Sequence, residues 1–153
     1  KAAPIDERGE LVVERYLDLL TPEVKLACVT HVSNVLGTVN PVRKIAKECR
    51  RRGIPLLVDG SQALPHRPVD VQALGCDFYV FTGHKMLGPT GTGALGARPE
   101  HLAAMPPFFG GGEMIREVRF SGTTFAPPPH KFEAGTPNIA GFVGMAAAID
   151  YYH

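Results

Sequence analysis

Three short apolar runs, over residues 25–32, 54–58 and 78–81, recur along the chain, and each ends in a polar corner. Runs of this length bounded by turn residues read as strands buried in a sheet. Helical patterns separate them. Over residues 11–20 the apolar positions Val13, Tyr16, Leu17 and Leu20 follow the i, i+3, i+4, i+7 spacing of a helix face, and Thr21 and Pro22 stop it. Asn40 and Pro41 read as the cap and first position of a second helix, which buries Val42, Ile45, Ala46 and Cys49 and ends at Gly53. Arg50, Arg51 and Arg52 fill its last turn, where cations meet the negative end of the helix dipole. A short helix is expected over residues 69–74 and a fourth strand over residues 94–97. Strands alternating with helices predict an α/β fold with a mainly parallel sheet and flanking helices.

The second half is less periodic. Residues 105–131 are dense in Pro and Gly and read as a long ordered loop. Thr136 and Pro137 suggest the cap and first position of a helix over residues 139–152, with Phe142, Val143, Ala146 and Ile149 on one face.

Composition narrows the partners. With 153 residues, 44% hydrophobic and 20% charged, the chain can build a core and is not a disordered one. Its 17 glycines and 14 prolines show no collagen-like period and point to turns and backbone-lined sites. A net charge of +1 gives no reason to expect nucleic acid or a membrane surface as partner. No apolar run is long enough to span a bilayer, and residues 1–10 are polar, unlike a secretory signal. The three cysteines, Cys28, Cys49 and Cys76, lie far apart with no CxxC, which fits a reduced, cytoplasmic compartment and no zinc site.

In a parallel sheet, ligands bind beyond the carboxyl ends of the strands. Three strand ends here carry polar residues: His31, Ser33 and Asn34; Asp59, Ser61 and Gln62; Thr82, His84 and Lys85. All should lie on one edge. A lysine between an apolar strand and a glycine loop is partly desolvated, which favours the neutral amine that attacks carbonyls. Asp59 closes a hydrophobic strand and calls for a cationic partner, either Lys85 in a structural ion pair or a bound ligand. The run Gly88-Pro89-Thr90-Gly91-Thr92-Gly93 lacks the spacing of a phosphate-cradling loop and reads as a loop beside the lysine.

Together these segments resemble a known family. Val58-Asp59-Gly60-Ser61-Gln62-Ala63 and Gly83-His84-Lys85, with Gly88-Pro89-Thr90-Gly91, resemble the pyridoxal 5'-phosphate signature of class V aminotransferase-like enzymes of fold type I. His31-Val32-Ser33-Asn34, Gly110-Gly111-Gly112-Glu113-Met114-Ile115 and Phe132-Glu133-Ala134-Gly135-Thr136-Pro137 are similar to the SufS-type (group II) cysteine desulfurases, which include selenocysteine lyase activity. The resemblance implies that residues 1–153 are a central part of the large domain, without its N-terminal part and the small C-terminal domain. It also implies roles. Lys85 would hold the cofactor as a Schiff base and then shuttle a proton. Asp59 would bind the pyridine nitrogen and Gln62 the phenolate oxygen, with Ser61 against the ring. Thr82 and His84 would contact the phosphate, and Asn34 the substrate carboxylate. Thr123 or Thr124 would reach the phosphate of a neighbouring subunit, which implies a homodimer. The implied reaction takes L-cysteine (or L-selenocysteine) to L-alanine and passes sulfur, through a persulfide, to an acceptor protein for iron–sulfur cluster assembly.

The departures are informative. Lys131 stands where the family has Arg, which would lose a bidentate contact. The family's nucleophilic cysteine and carboxylate-binding arginine lie in a downstream segment without counterpart here. Cys28 and Cys49 fall on a strand and an apolar helix face, and Cys76 directly precedes a strand, so all three read as inert packing residues. The chain by itself is therefore expected to be an inactive fragment. Lys85 and Asp59 would equally serve a selenocysteine lyase, a kynureninase or an epimerase, and a non-catalytic α/β binding module would keep the lysine for structure alone. His66 reads as structural; His101, His130 and His153 carry no assignment.

Overall fold

The spacing of Val42, Ile45, Ala46 and Cys49 does what it predicts: all four are buried on the inner face of a ten-residue helix. A computed structural model describes residues 1–152; His153 lies outside the described residues. In chain order the main elements are helix α1 (Val13–Asp18), strand β1 (Ala27–Thr30), helix α2 (Val42–Arg51), strand β2 (Leu56–Asp59), helix α3 (Val71–Leu74) and strand β3 (Phe78–Thr82). Then follow strand β4 (Gly93–Ala97), helix α4 (Pro99–Ala104), strands β5 (Ile115–Arg119) and β6 (Gly122–Phe125), and helix α5 (Ile139–Tyr152). Strands β1, β2, β3 and β4 pair in that order, the first three parallel and β4 antiparallel to β3. The fold is α/β with a mostly parallel sheet flanked by helices, as expected.

Successive side chains of a strand point to opposite faces, and the register aligns Ala27 with Leu56 and Val58 with Tyr79. These residues form the core with Tyr16 and Leu20 near α1 and the apolar stripe of α2. The arginine triplet is absorbed structurally. Arg52 donates to the Leu17 and Leu20 carbonyls, Arg50 to Gly75, and Arg51 pairs with Glu48. On the opposite face Phe78 stacks on His101 of α4, but Cys28 and Leu95 stand exposed.

Several local expectations need correction. Helix α1 is shorter than residues 11–20, and the N-cap of α2 is Pro41 rather than Asn40. Asn40 is instead tied to the end of β1, its amide donating to the Thr30 carbonyl at 2.8 Å and its backbone N–H to that of His31. Asp70 caps α3, its carboxylate accepting from the Ala73 N–H. Residues 105–131 are not all loop: β5 and β6 form an antiparallel hairpin within them. Both strands are exposed throughout, so no buried alternation marks them, and the flanking Pro and Gly hide the β-branched pairs. At α5 the cap is Asn138, whose Oδ1 accepts from the Gly141 N–H, not Thr136. The inward residues of α5 are Gly141, Met145 and Ala148, while Phe142 and Val143 are largely exposed. A helix apolar all round gives periodicity no purchase, and small Gly144 permits close approach to Pro89 in the loop before β4, while Gly141 leaves room for the Asn138 cap.

Candidate active site

Each strand end builds its own corner. After β1 the hydroxyl of Ser33 accepts from the N–H groups of Val35 and Leu36, folding a turn that carries Asn34 at the surface. After β2 the chain turns at once: Asp59 Oδ1 accepts from the Ser61 N–H at 2.9 Å, and the Gly60 carbonyl accepts from Ala63 and Leu64. Such an Asx turn fixes the rotamer of the carboxylate. After β3 a single 3-10 turn, Gly83–Met86, carries His84 and Lys85. Gly83 is buried against Thr92, where a Cβ would collide with the threonine hydroxyl, so only glycine lets this turn sit on the loop before β4. Leu87 adopts a left-handed φ of 59° and closes it.

The three corners share one edge of the sheet because their strands are parallel and adjacent. The His31 N–H donates to the Asp59 carbonyl at 2.7 Å, and the Gly60 N–H to that of Val80 at 2.8 Å. Asn34, Asp59, Ser61, Gln62, Thr82, His84 and Lys85 are therefore brought to the same edge. Thr82 Oγ1 and His84 Nδ1 lie 2.8 Å apart, so a hydroxyl and an imidazole are already oriented together. Thr123 and Thr124 are not part of this group; they sit exposed on β6 in the separate hairpin.

Of the two partners open to Asp59, the ion pair with Lys85 does not form. Among the described residues Lys85 makes no salt bridge and Asp59 pairs with no cation. Asp59 is half-buried, with Oδ1 held by Ser61 and no hydrogen-bond partner on Oδ2 among the described residues. Lys85 is half-buried too, as a lysine between a strand and a glycine loop should be. Two cavities, of about 420 and 750 Å³, open elsewhere, and neither is lined by Asp59 or Lys85.

Cys28 is exposed rather than buried, because the sheet face it occupies is uncovered. Cys49 and Cys76 are buried as expected. Burial, with Asp77 nearby, pushes the Cys49 thiol up to about 11, and burial raises Cys76 as well. Lys131, which replaces an expected Arg, donates to the Leu102 and Ala103 carbonyls at the end of α4 and lies over the Phe132 ring. One residue at the edge escaped sequence reasoning. Tyr79 reads as a core strand residue, yet its hydroxyl meets Nδ1 of buried His31 at 3.0 Å. The available signal was chemical: a tyrosine on an apolar face needs a partner for its hydroxyl.

The family profile described as Aminotransferase class-V matches residues 1–153 in full. The chain belongs to the class-V aminotransferase family. Within it, the chain is 64% identical over 151 residues to a probable cysteine desulfurase of Xylella fastidiosa (strain 9a5c), covering 99% of this chain and 36% of that protein. It is 53% identical over 152 residues to the cysteine desulfurase of Dickeya dadantii (strain 3937), covering 99% and 37%. In structure it is similar to the cysteine desulfurase CsdA of Escherichia coli, with a TM-score of 0.92, 40% identity and coverage of 97% and 37%. The cysteine desulfurase of Thermococcus onnurineus NA1 gives 0.89 at 38% identity, covering 99% and 38%. This class-V chain thus spans little more than a third of the length of the relatives it matches. Its α/β sheet and helices are those of the cysteine desulfurase fold.

Proposed function

We propose that this chain is the cofactor-holding part of a pyridoxal phosphate-dependent cysteine desulfurase of the SufS-type group. The enzyme would convert L-cysteine to L-alanine and pass the sulfur, as a persulfide, to an acceptor protein for iron–sulfur cluster assembly. The observation that carries the reading is that Asp59 ends β2 and Lys85 follows the adjacent parallel strand β3 on the same edge, both free of protein ion pairs among the described residues. The donor set suits the cofactor: a carboxylate with one oxygen to spare, a half-buried amine, and a hydroxyl–imidazole pair fit for a phosphate.

Bound pyridoxal phosphate supplies an electron sink for the negative charge left on the substrate α-carbon. The chain supplies the rest. Lys85 Nζ would hold the cofactor and would carry a proton to and from the substrate carbon. Asp59, with Oδ1 occupied by the Ser61 N–H, would offer its other oxygen to the pyridine nitrogen. Thr82 and His84 would hold the phosphate, Gln62 the phenolate oxygen, Ser61 the ring face and Asn34 the substrate carboxylate. None of Cys28, Cys49 or Cys76 stands at this edge, so the persulfide-forming thiol is not one of them. Exposed Phe108, Phe109, Val118 and Phe120, on and before the hairpin that carries Thr123 and Thr124, support a second subunit against that surface. The uncovered face at Cys28 and Leu95 supports a larger domain around this sheet, since parallel sheets are covered on both sides.

The test is borohydride reduction of the chain with the cofactor, followed by peptide mass mapping. A single adduct on Lys85, lost in Lys85→Ala, is expected. No adduct, or adducts scattered over surface lysines, would overturn the reading.

A further inference from the structure

Beneath the Asp59 corner lies a buried polar pair. His31 is 6% exposed and Tyr79 2%, and their rings meet edge to face at 87° with Nδ1 and Oη 3.0 Å apart. Tyr79 points to the helix-covered side of the sheet, where its neighbours Leu56 and Val58 are fully buried. A phenylalanine would fill that volume without a hydroxyl to satisfy, and burying the hydroxyl is costly unless it is paired.

Both residues grip the corner. The Tyr79 ring lies directly under Gly60: a Cβ there would collide with its Cε1, Cζ and Oη. The His31 N–H donates to the Asp59 carbonyl, and the His31 carbonyl accepts from Asn40, so the imidazole is tethered to the same turn from the other side. Burial, and then the Arg67 guanidinium, hold His31 below the usual imidazole range. Burial pushes the Tyr79 phenol up to about 12, with Cys76 and Asp59 adding to it. Both groups are thus neutral, and the Tyr79 hydroxyl and His31 Nδ1 satisfy each other with no charge to desolvate. That bond fixes the rotation of both rings, and hence the floor on which Gly60 rests.

We propose that His31 and Tyr79 are positioning residues that set the height and tilt of the 59–62 corner, and through it the direction of the Asp59 carboxylate. The inference rests on the reading of Asp59 as the partner of the cofactor's ring nitrogen. Neither residue touches the cofactor; they act through the turn.

The experiment uses the whole chain as wild type, Tyr79→Phe, His31→Ala and His31→Asn. Tyr79→Phe keeps the ring under Gly60 and removes only the hydroxyl. Amide hydrogen exchange needs no cofactor and reads the corner directly. Residues 60–64 should exchange about tenfold faster in Tyr79→Phe and His31→Ala, the factor for one lost buried hydrogen bond, while the α2 amides keep their rates. His31→Asn places an amide near the position of Nδ1 and should restore slow exchange. With pyridoxal phosphate added, the same two damaged variants should bind it several-fold more weakly, read by titration of cofactor absorbance, with the reduced adduct still on Lys85. Equal acceleration over α2 and the corner would mark a merely structural pair, and unchanged exchange at residues 60–64 would mark no role; either overturns the proposal. Absence of a Lys85 adduct in wild type would instead sink the functional reading, and the exchange data would still decide whether the pair sets the corner.

Discussion

Lys131 Nζ donates to the carbonyl of Ala103 at 3.0 Å, closing the C-terminal end of α4 from 28 positions downstream. A second contact, to the Leu102 carbonyl at 3.1 Å, shares the same ammonium. The replacement of an expected arginine is thus accommodated, because two carbonyls along a helix end ask for a point charge rather than a fork. Lys131→Met should cost about 0.3–1 kcal/mol, the range for a cation at a helix terminus, and Lys131→Arg should cost less. Urea midpoints of the three proteins check it; equal midpoints would show that the contact contributes nothing.

The buried imidazole makes a pH prediction. In the unfolded chain His31 titrates near 6.5, and in the folded chain burial and Arg67 lower it. Below the unfolded value the unfolded chain therefore binds more protons than the folded one. Its contribution to stability is complete above pH 6.5 or so and is lost as the pH falls toward the folded value. Urea melts between about pH 7.5 and 5.5 should show wild type losing stability more steeply than His31→Asn. Parallel losses would place the acid sensitivity in other groups.

The thiols should divide by burial. Cys28 stands exposed on the open sheet face, whereas Cys49 and Cys76 are buried and their thiols are held protonated. A thiol-reactive disulfide reagent should modify Cys28 in the native chain, and the other two only in denaturant. The chain supplied with pyridoxal phosphate and L-cysteine should release no sulfide. Sulfide release that survives replacement of all three cysteines would contradict the proposal that the reaction needs a persulfide-forming thiol.

At Gly60 the constraint is steric. A methyl group would meet the Tyr79 ring from above, and strand pairing on both sides leaves the backbone little freedom to retreat. Gly60→Ala should cost about 1–3 kcal/mol, as overpacking does. Combined with Tyr79→Leu it should cost less than the sum, because the smaller side chain vacates the colliding volume. Additive losses in that double-mutant cycle would show that the two positions do not press on each other.

Much of this was legible along the chain. The stripe of α2 and the apolar runs of β1, β2 and β3 are strong periodic signals, and parallel pairing follows from their alternation with helices. From that, the gathering of Asp59, Thr82, His84 and Lys85 on one edge is a topological consequence. The hairpin β5–β6 was not legible, because neither face is buried and its side chains carry no alternation. The inward face of α5 was not legible either, since a uniformly apolar helix is oriented by where its glycines permit contact.

What the amino-acid order determined by itself is the layer architecture and the inventory of chemistry at the strand ends, because both depend on local periodicity and on turn residues. What only the tertiary structure decided is how those groups are held. Asp59 takes its second-oxygen freedom from a turn to Ser61 rather than from a pair with Lys85. Tyr79 meets His31 from 48 positions away, and no local pattern encodes a contact made by the register of two strands that are not even neighbours in the sheet.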